Sequence, residues 1–154
     1  MRSPERLGPE WFEVVREPWN EYIIQDSEDV PLKGKFVLTK MSQLRDPSKA
    51  REGLGMAGQT VLATYAPPSL RGKPSETLPS AKDISDEQKK RMDFKIVKED
   101  WNIYRLPERK VTFKVRMIVS EVYRIPGYFG PDGDPYYIVE SAVVVEMTKD
   151  PVKP

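Results

Sequence analysis

The chain has 154 residues, 38% of them hydrophobic and 32% charged, with a formal net charge of +1. The apolar residues suffice for the core of one ordinary domain or of two small ones. The chain lacks the overall basic excess of strong nucleic-acid binders. The chain has no Cys and no His, which excludes thiol nucleophiles, histidine-dependent dyads and metal sites built from imidazole or thiolate. The sequence therefore predicts no metal site and no cofactor.

Hydropathy predicts the cellular compartment. The first eleven residues, MRSPERLGPEW, lack the apolar stretch of a signal peptide. No run in the chain approaches the roughly 20 apolar residues of a transmembrane helix. We therefore expect a cytoplasmic protein that makes no membrane contact.

The first predicted strands belong to an internal repeat. FEVVREPWNEY at 12–22 matches FKIVKEDWNIY at 94–104, with six identical residues. The match continues with VPLKGKFVLTKM at 30–41 over VTFKVRMIVSEV at 111–122, and with QTVLATY at 59–65 over SAVVVEM at 141–147. The repeat units are thus 12–65 and 94–147. Two copies are too few for a solenoid, so we expect two tandem modules about a pseudo-two-fold axis, with one shared core. Two looser domains are the alternative.

Each module reads as strand, turn, long strand, loop and strand. The turns are DSEDV in the first module and PERKV in the second. The long strand of the first module alternates, with an apolar face of Val30, Leu32, Gly34, Phe36 and Leu38, and its far end is apolar on both faces. The pattern predicts a mainly β protein, a small six-stranded barrel or sandwich.

The domain boundaries follow from composition. The first module covers 1–65, a proline-rich linker with a short helix covers 66–93, and the second module with its tail covers 94–154. Ser85 followed by Gln88 fits a capping box, which predicts that the linker helix begins there. The segment SPERLGPE at 3–10 is a second candidate for a short helix.

Gly53, Gly55 and Gly58 match the G-x-G-x-x-G pattern of dinucleotide-binding loops. That pattern needs a buried strand before it and a helix opening at it. Here a polar segment precedes the glycines and a β-branched one follows, so we expect a mobile loop entering a strand and no nucleotide site.

The repeated Trp-Asn-x-Tyr string occurs at 19–22 and 101–104. We interpret its aromatic residues as core and its asparagines as partners of backbone groups at a strand end. The alternative interpretation is that the two strings line a pair of symmetry-related ligand pockets.

The favoured function is a non-catalytic protein-binding subunit or accessory factor of a larger complex, whose partner is another protein or a second copy of the chain. The predicted contact regions are two loops, Arg45–Gly58 and Pro126–Tyr136. The candidate contact residues are Arg45, Arg51, Tyr128 and Phe129, because exposed aromatic and arginine side chains are good interface anchors. The two aromatic residues fit equally well a loop that folds back over the core.

Two further functions stay open. Basic residues on corresponding strand faces, Lys33 and Lys35 with Lys114 and Arg116, predict binding of single-stranded RNA or DNA as one alternative. A small-molecule binder or enzyme with a site at the module interface is the other. No carboxylate pair is marked by its surroundings as an acid and base, so no catalytic residue is predicted.

Overall fold

The computed structural model describes residues 5–46 and 51–149, and within them the chain is mainly β. One antiparallel sheet of nine strands is formed, and it is not closed. The strands are β1 (Glu5–Glu10), β2 (Glu13–Arg16), β3 (Asn20–Gln25), β4 (Asp29–Asp46), β5 (Arg51–Thr64), β6 (Lys90–Lys98), β7 (Asn102–Leu106), β8 (Val111–Phe129) and β9 (Pro135–Lys149). The mainly β class is therefore confirmed, but the six-strand count is wrong and the barrel is not confirmed. No helix in the described part of the chain has the length and apolarity needed to cross a membrane.

The two long strands organise the sheet. β4 pairs along one side with β5 and along the other with β3 and β1, and β8 pairs with β9, β7 and β6. The predicted turns are confirmed, since β3 is followed by β4 after residues 26–28 and β7 by β8 after residues 107–110. Apart from β5 and β9, which pair only with β4 and β8 among the described residues, the strands follow the order β1-β4-β3-β6-β8-β7-β2.

The face predicted from alternation in β4 is buried. Val30, Leu32, Phe36 and Leu38 are at most 5% exposed, and Phe113, Val115, Met117 and Val119 of β8 are as well buried. The far end of β4 is apolar on both faces, and a change of register explains it. A β-bulge shifts the register between Leu38 and Lys40, and such a bulge reverses which residues face the core. Met41, three residues past Leu38, is therefore also buried.

β8 carries the same irregularity at the matching place. Its register with β9 shifts between Val119 and Glu121, and Val122 beyond it is fully buried. The hydroxyl of Thr39 donates to the carbonyl of Ala57, and that of Ser120 donates to the carbonyl of Glu140. A side-chain hydrogen bond thus ties each bulge to the neighbouring strand.

One predicted helix is absent from the described residues, and the predicted linker helix is reduced to a 3-10 turn. SPERLGPE contributes β1 instead of a helix, and Gly8 sits at a bulge there with φ of 138°. The linker contains three 3-10 turns of three residues each, at Pro68–Leu70, Ala81–Asp83 and Asp86–Gln88. Gln88 does accept the backbone N–H of Ser85, but the chain enters β6 at Lys90 and leaves no room for a longer helix.

The halves of the chain exchange their leading strands. β2 pairs with β7 of the second half, and residues Asp93–Lys98 of β6 pair with β3 of the first. A single hydrophobic cluster contains residues of both halves, among them Tyr22, Phe36, Tyr104 and Met117. The space between β4 and β8 is filled, because a Cβ on Gly34 would lie 2.8 Å from the Met117 methyl group.

Candidate protein-binding site

The repeated tyrosines reach across from one half of the chain to the other. Tyr104 donates its hydroxyl hydrogen to Glu17 at 2.6 Å, and Tyr22 donates to Glu99 at 2.9 Å. Each glutamate has a basic neighbour, Lys35 for Glu17 and Arg116 for Glu99. We name these two arrangements the Glu17 lock and the Glu99 lock.

The repeated asparagines complete the exchange. Asn20 and Asn102 are buried at the first positions of β3 and β7. Asn20 donates to the carbonyl of Met117, and Asn102 donates to that of Phe36 at 2.7 Å. The predicted role of these asparagines as backbone partners is confirmed, and the string serves the fold.

The lock tyrosines are held neutral. Burial raises the pKa of Tyr22 and of Tyr104 well above the usual value, and the adjacent glutamates raise it further. A hydroxyl with a raised pKa that already donates to a carboxylate is a poor general base near neutral pH. The locks are therefore structural contacts.

The basic residues of the nucleic-acid hypothesis lie beside the locks. Lys33 and Lys35 place their ammonium groups 5.4 and 5.1 Å from the ring centre of Trp19. The Arg116 guanidinium lies 5.8 Å from the ring centre of Trp101 and 3.1 Å from Glu99. Lys114 is partly buried on β8, opposite Glu146 of β9.

These contacts bear on whether the basic residues could bind a nucleic acid. Trp19 is 37% exposed, so its predicted place in the core is wrong. Cations cover part of each Trp ring, and glutamates face Lys35 and Arg116 at 3.9 and 3.1 Å. A base stacking on either ring would compete with the chain's own cations.

The predicted binding loops are mostly strand. Of the loop expected at Arg45–Gly58, residues 47–50 lie outside the described residues. The rest belongs to the paired arms of a β4–β5 hairpin, in which the backbone of Arg45 pairs with Glu52 and that of Arg51 with Asp46. The side chains of Arg45 and Arg51 lie outside the described residues. The prediction of a mobile loop is thus wrong for residues 51–58.

The glycines of the hairpin have packing roles. Gly58 lies against Phe36, where an added Cβ would overlap the ring and sit 2.6 Å from the Val37 carbonyl oxygen. Gly55 lies against Leu44, with a Cβ 3.0 Å from its side chain. The motif runs along an antiparallel strand, which is not the strand-to-helix turn of a dinucleotide site.

The second predicted loop is shorter than expected. β8 continues to Phe129 and β9 begins at Pro135, which leaves residues 130–134 as the turn. Phe129 bonds through its backbone to Ser75, and its ring lies close to Gly72 of the linker. Tyr128 and Phe129 are both partly buried, so Phe129 folds back onto the linker.

A cleft of about 490 Å³ opens between the end of β5, the linker and the start of β9. Three large apolar residues at its rim are exposed: Leu62 (38%), Tyr65 (53%) and Leu78 (39%). Residues of both halves therefore line one concave surface. Sequence reasoning missed Leu62, Tyr65 and Leu78, because nothing in the sequence marks where the linker passes β5.

Asp134 forms the polar floor of the cleft. Its carboxylate accepts the Thr64 hydroxyl at 2.8 Å and the backbone N–H of Ala66 at 3.3 Å. Its other oxygen, Oδ1, is buried 3.5 Å from Nε of Arg71 and receives no hydrogen bond from the described residues. Asp134 thus ties β5 and the linker to the β8–β9 turn and leaves one acceptor unused.

Two of the three tyrosines that line the cleft are tied to the chain's own acceptors. Tyr136 donates to the carbonyl of Pro79, and Tyr137 donates to Asp26, both at 2.8 Å. Burial raises the pKa of Tyr137 well above the usual value, and the Asp26 carboxylate raises it further. The cleft therefore offers mainly apolar contact, with few polar groups left to grip a small polar ligand.

Two strands at the edges of the sheet are exposed. Among the described residues β5 pairs only with β4, and β9 only with β8. Large apolar side chains along both strands are 38–47% exposed: Met56, Val61 and Leu62 on β5, and Val144, Val145 and Met147 on β9.

Comparison of the chain with protein-family models, curated proteins and solved structures gives no match. The contacts described above therefore carry the functional argument.

Proposed function

We propose that this chain is a non-catalytic protein-binding subunit, and that a segment of a partner protein docks in the cleft beside Asp134. The observation that carries the proposal is the cluster of exposed Leu62, Tyr65 and Leu78 at the cleft rim. Large apolar and aromatic side chains gathered at a concave surface are typical anchors for protein partners.

The chemistry of the cleft favours a protein partner over a polar metabolite. The hydroxyls of Tyr136 and Thr64 donate to acceptors within the chain. Buried polar groups that are already satisfied add little to ligand affinity, whereas apolar area does.

We also propose that the two repeat units form one pseudo-symmetric body. The two locks, the two asparagine contacts and the two bulges support it, because each occurs at corresponding residues of the repeat. Residues 1–65 or 94–154 alone should then fail to fold as a monomer, measured by circular dichroism and a cooperative urea transition. A cooperative fold of either piece as a monomer would contradict this.

The functional test is capture of partners by the tagged chain from its native host, with and without nuclease. Tyr65→Ala removes the most exposed rim side chain, and Trp11→Ala, 68% exposed on the N-terminal segment, is the matched control. We expect a stoichiometric protein partner that survives nuclease, is retained by Trp11→Ala and is lost with Tyr65→Ala. No stable partner, or one indifferent to Tyr65, would contradict the proposal.

The same experiment decides the nucleic-acid alternative. Partners that disappear with nuclease, or nucleic acid alone, would favour binding by the basic strand faces. Such binding should weaken steeply with salt and fall when Lys33, Lys35, Lys114 and Arg116 are changed to Ala. Salt-insensitive capture would exclude it.

A further inference from the structure

The outer edge of β5 has an unusual composition for an exposed strand. No Asp, Glu, Lys or Arg occurs from Gly53 to Thr64, a run of twelve residues. Extended chain of that length spans roughly 40 Å. Edge strands are normally protected by charges, prolines or bulges on the strand itself, and this segment carries no charge and no proline.

The corresponding edge of β9 differs. It carries Glu140, Glu146 and Lys149, and each is exposed. In an antiparallel pair of identical strands about a two-fold axis, only the residue on the axis faces its own copy, and every other residue faces the one equally far from the axis on the other side. A pair of β5 strands in this segment therefore brings no charges together, whereas a pair of β9 strands brings three from each copy into the interface. From this difference we propose that β5 is the dimer interface and that its occupant is β5 of a second copy of this chain.

The backbone of β5 fits such a pairing. The N–H of Tyr65 donates to the carbonyl of Pro31 on β4, which fixes the alternation of hydrogen bonds along the strand. By that alternation, the backbone groups of Thr60, Leu62 and Thr64 point away from β4, toward the free edge. They are the groups that a second strand would satisfy.

The side chains select a register centred on Gln59. With Gln59 opposite its own copy, Met56 lies opposite Leu62 and Ala57 opposite Val61 of the second copy. Met56, Val61 and Leu62 are the large apolar residues exposed on this strand. Each would then face an apolar side chain, and Gly58, which carries none, would let the two backbones approach.

The experiment is sedimentation equilibrium of the full chain over a concentration series. The expected species has twice the 17.7 kDa mass of the chain. Gln59→Lys puts two like charges together on the axis, and we expect it to weaken dimerisation by about a hundredfold or more. Thr148→Lys adds the same charge to the exposed edge of β9 and should leave the dimer intact. Both replaced residues are exposed, and an unchanged thermal transition confirms that each variant folds.

A second readout uses the absence of cysteine from the chain. Gln59→Cys introduces a single thiol whose only disulfide partner is the same residue of the other copy. We expect rapid cross-linking on oxidation and none for Thr148→Cys. A chain that stays monomeric, a dimer that survives Gln59→Lys, or preferential cross-linking through residue 148 would overturn the proposal. Leu62 belongs to both the cleft rim and this edge, so partner capture is tested separately through Tyr65, which lies beyond the end of β5.

Discussion

Replacing Tyr104 with Phe tests whether the Glu17 lock holds the two halves together. The change removes one oxygen from a fully buried ring and leaves Glu17 with the Leu38 N–H at 3.3 Å and Lys35 at 3.9 Å. A hydrogen bond to a charged group contributes about 1.5–3 kcal/mol. Two hydrogen bonds are lost, a short one to Glu17 at 2.6 Å and one from Asn102 at 3.0 Å, so we expect the free energy of unfolding to fall by about 2–4 kcal/mol.

Tyr22→Phe is the matched control in the Glu99 lock. Glu99 keeps its bond from Arg116 at 3.1 Å, so the loss should be smaller, about 1.5 kcal/mol. Urea unfolding measures both, and in thermal unfolding each kcal/mol corresponds to about 2–4 °C for a chain of this size. A loss below about 0.5 kcal/mol for Tyr104→Phe, or a larger loss for Tyr22→Phe, would refute the assignment of the locks.

Three further outcomes are expected. Tyr22, Tyr104 and Tyr137 have raised pKa values, so the unfolded chain loses their protons first as pH rises above about 10. The free energy of unfolding in urea titrations should therefore fall with a slope approaching about 4 kcal/mol per pH unit. A flat profile would show that the hydroxyls are not held neutral. Gly58→Ala should lower the free energy of urea unfolding by about 1–3 kcal/mol because its methyl group overlaps Phe36. Gly53→Ala, whose methyl group meets nothing within 4 Å, should change it by no more than about 0.5 kcal/mol. Equal effects would contradict the packing role of Gly58. Asp134→Ala removes the acceptor of two hydrogen bonds and should lower thermal stability by about 2–4 kcal/mol, while unchanged melting would show that the cleft floor is not tied together there.

The sequence predicted those features that depend on local alternation. The buried face of β4 and the turns after β3 and β7 follow from period-two patterns bounded by turn residues. The repeated string also identified the asparagines correctly as partners of backbone groups. These features are encoded within a few neighbouring residues.

The errors concern longer-range packing. The β5 glycines seemed to mark a loop, yet Gly58 is needed because the Phe36 ring lies over it. The apolar residues on both sides of β4 arise from a bulge at Thr39, and no residue type specifies a bulge in advance. Trp19 is 37% exposed, and Lys33 and Lys35 of β4 lie over its ring, a contact that the sequence pattern does not show. The cleft depends on where the linker packs, which the sequence alone does not show.

The exchange of leading strands has a consequence for synthesis on the ribosome. β2 ends at Arg16 but must wait for β7, which ends at Leu106. At bacterial or eukaryotic elongation rates that interval lasts roughly 5–20 s. During it the nascent first half holds Tyr22 without Glu99 and an apolar strand without its neighbour, and such exposed edges invite aggregation. Protection of the growing chain, rather than the stability of the finished fold, should therefore limit how much of this protein a cell can make.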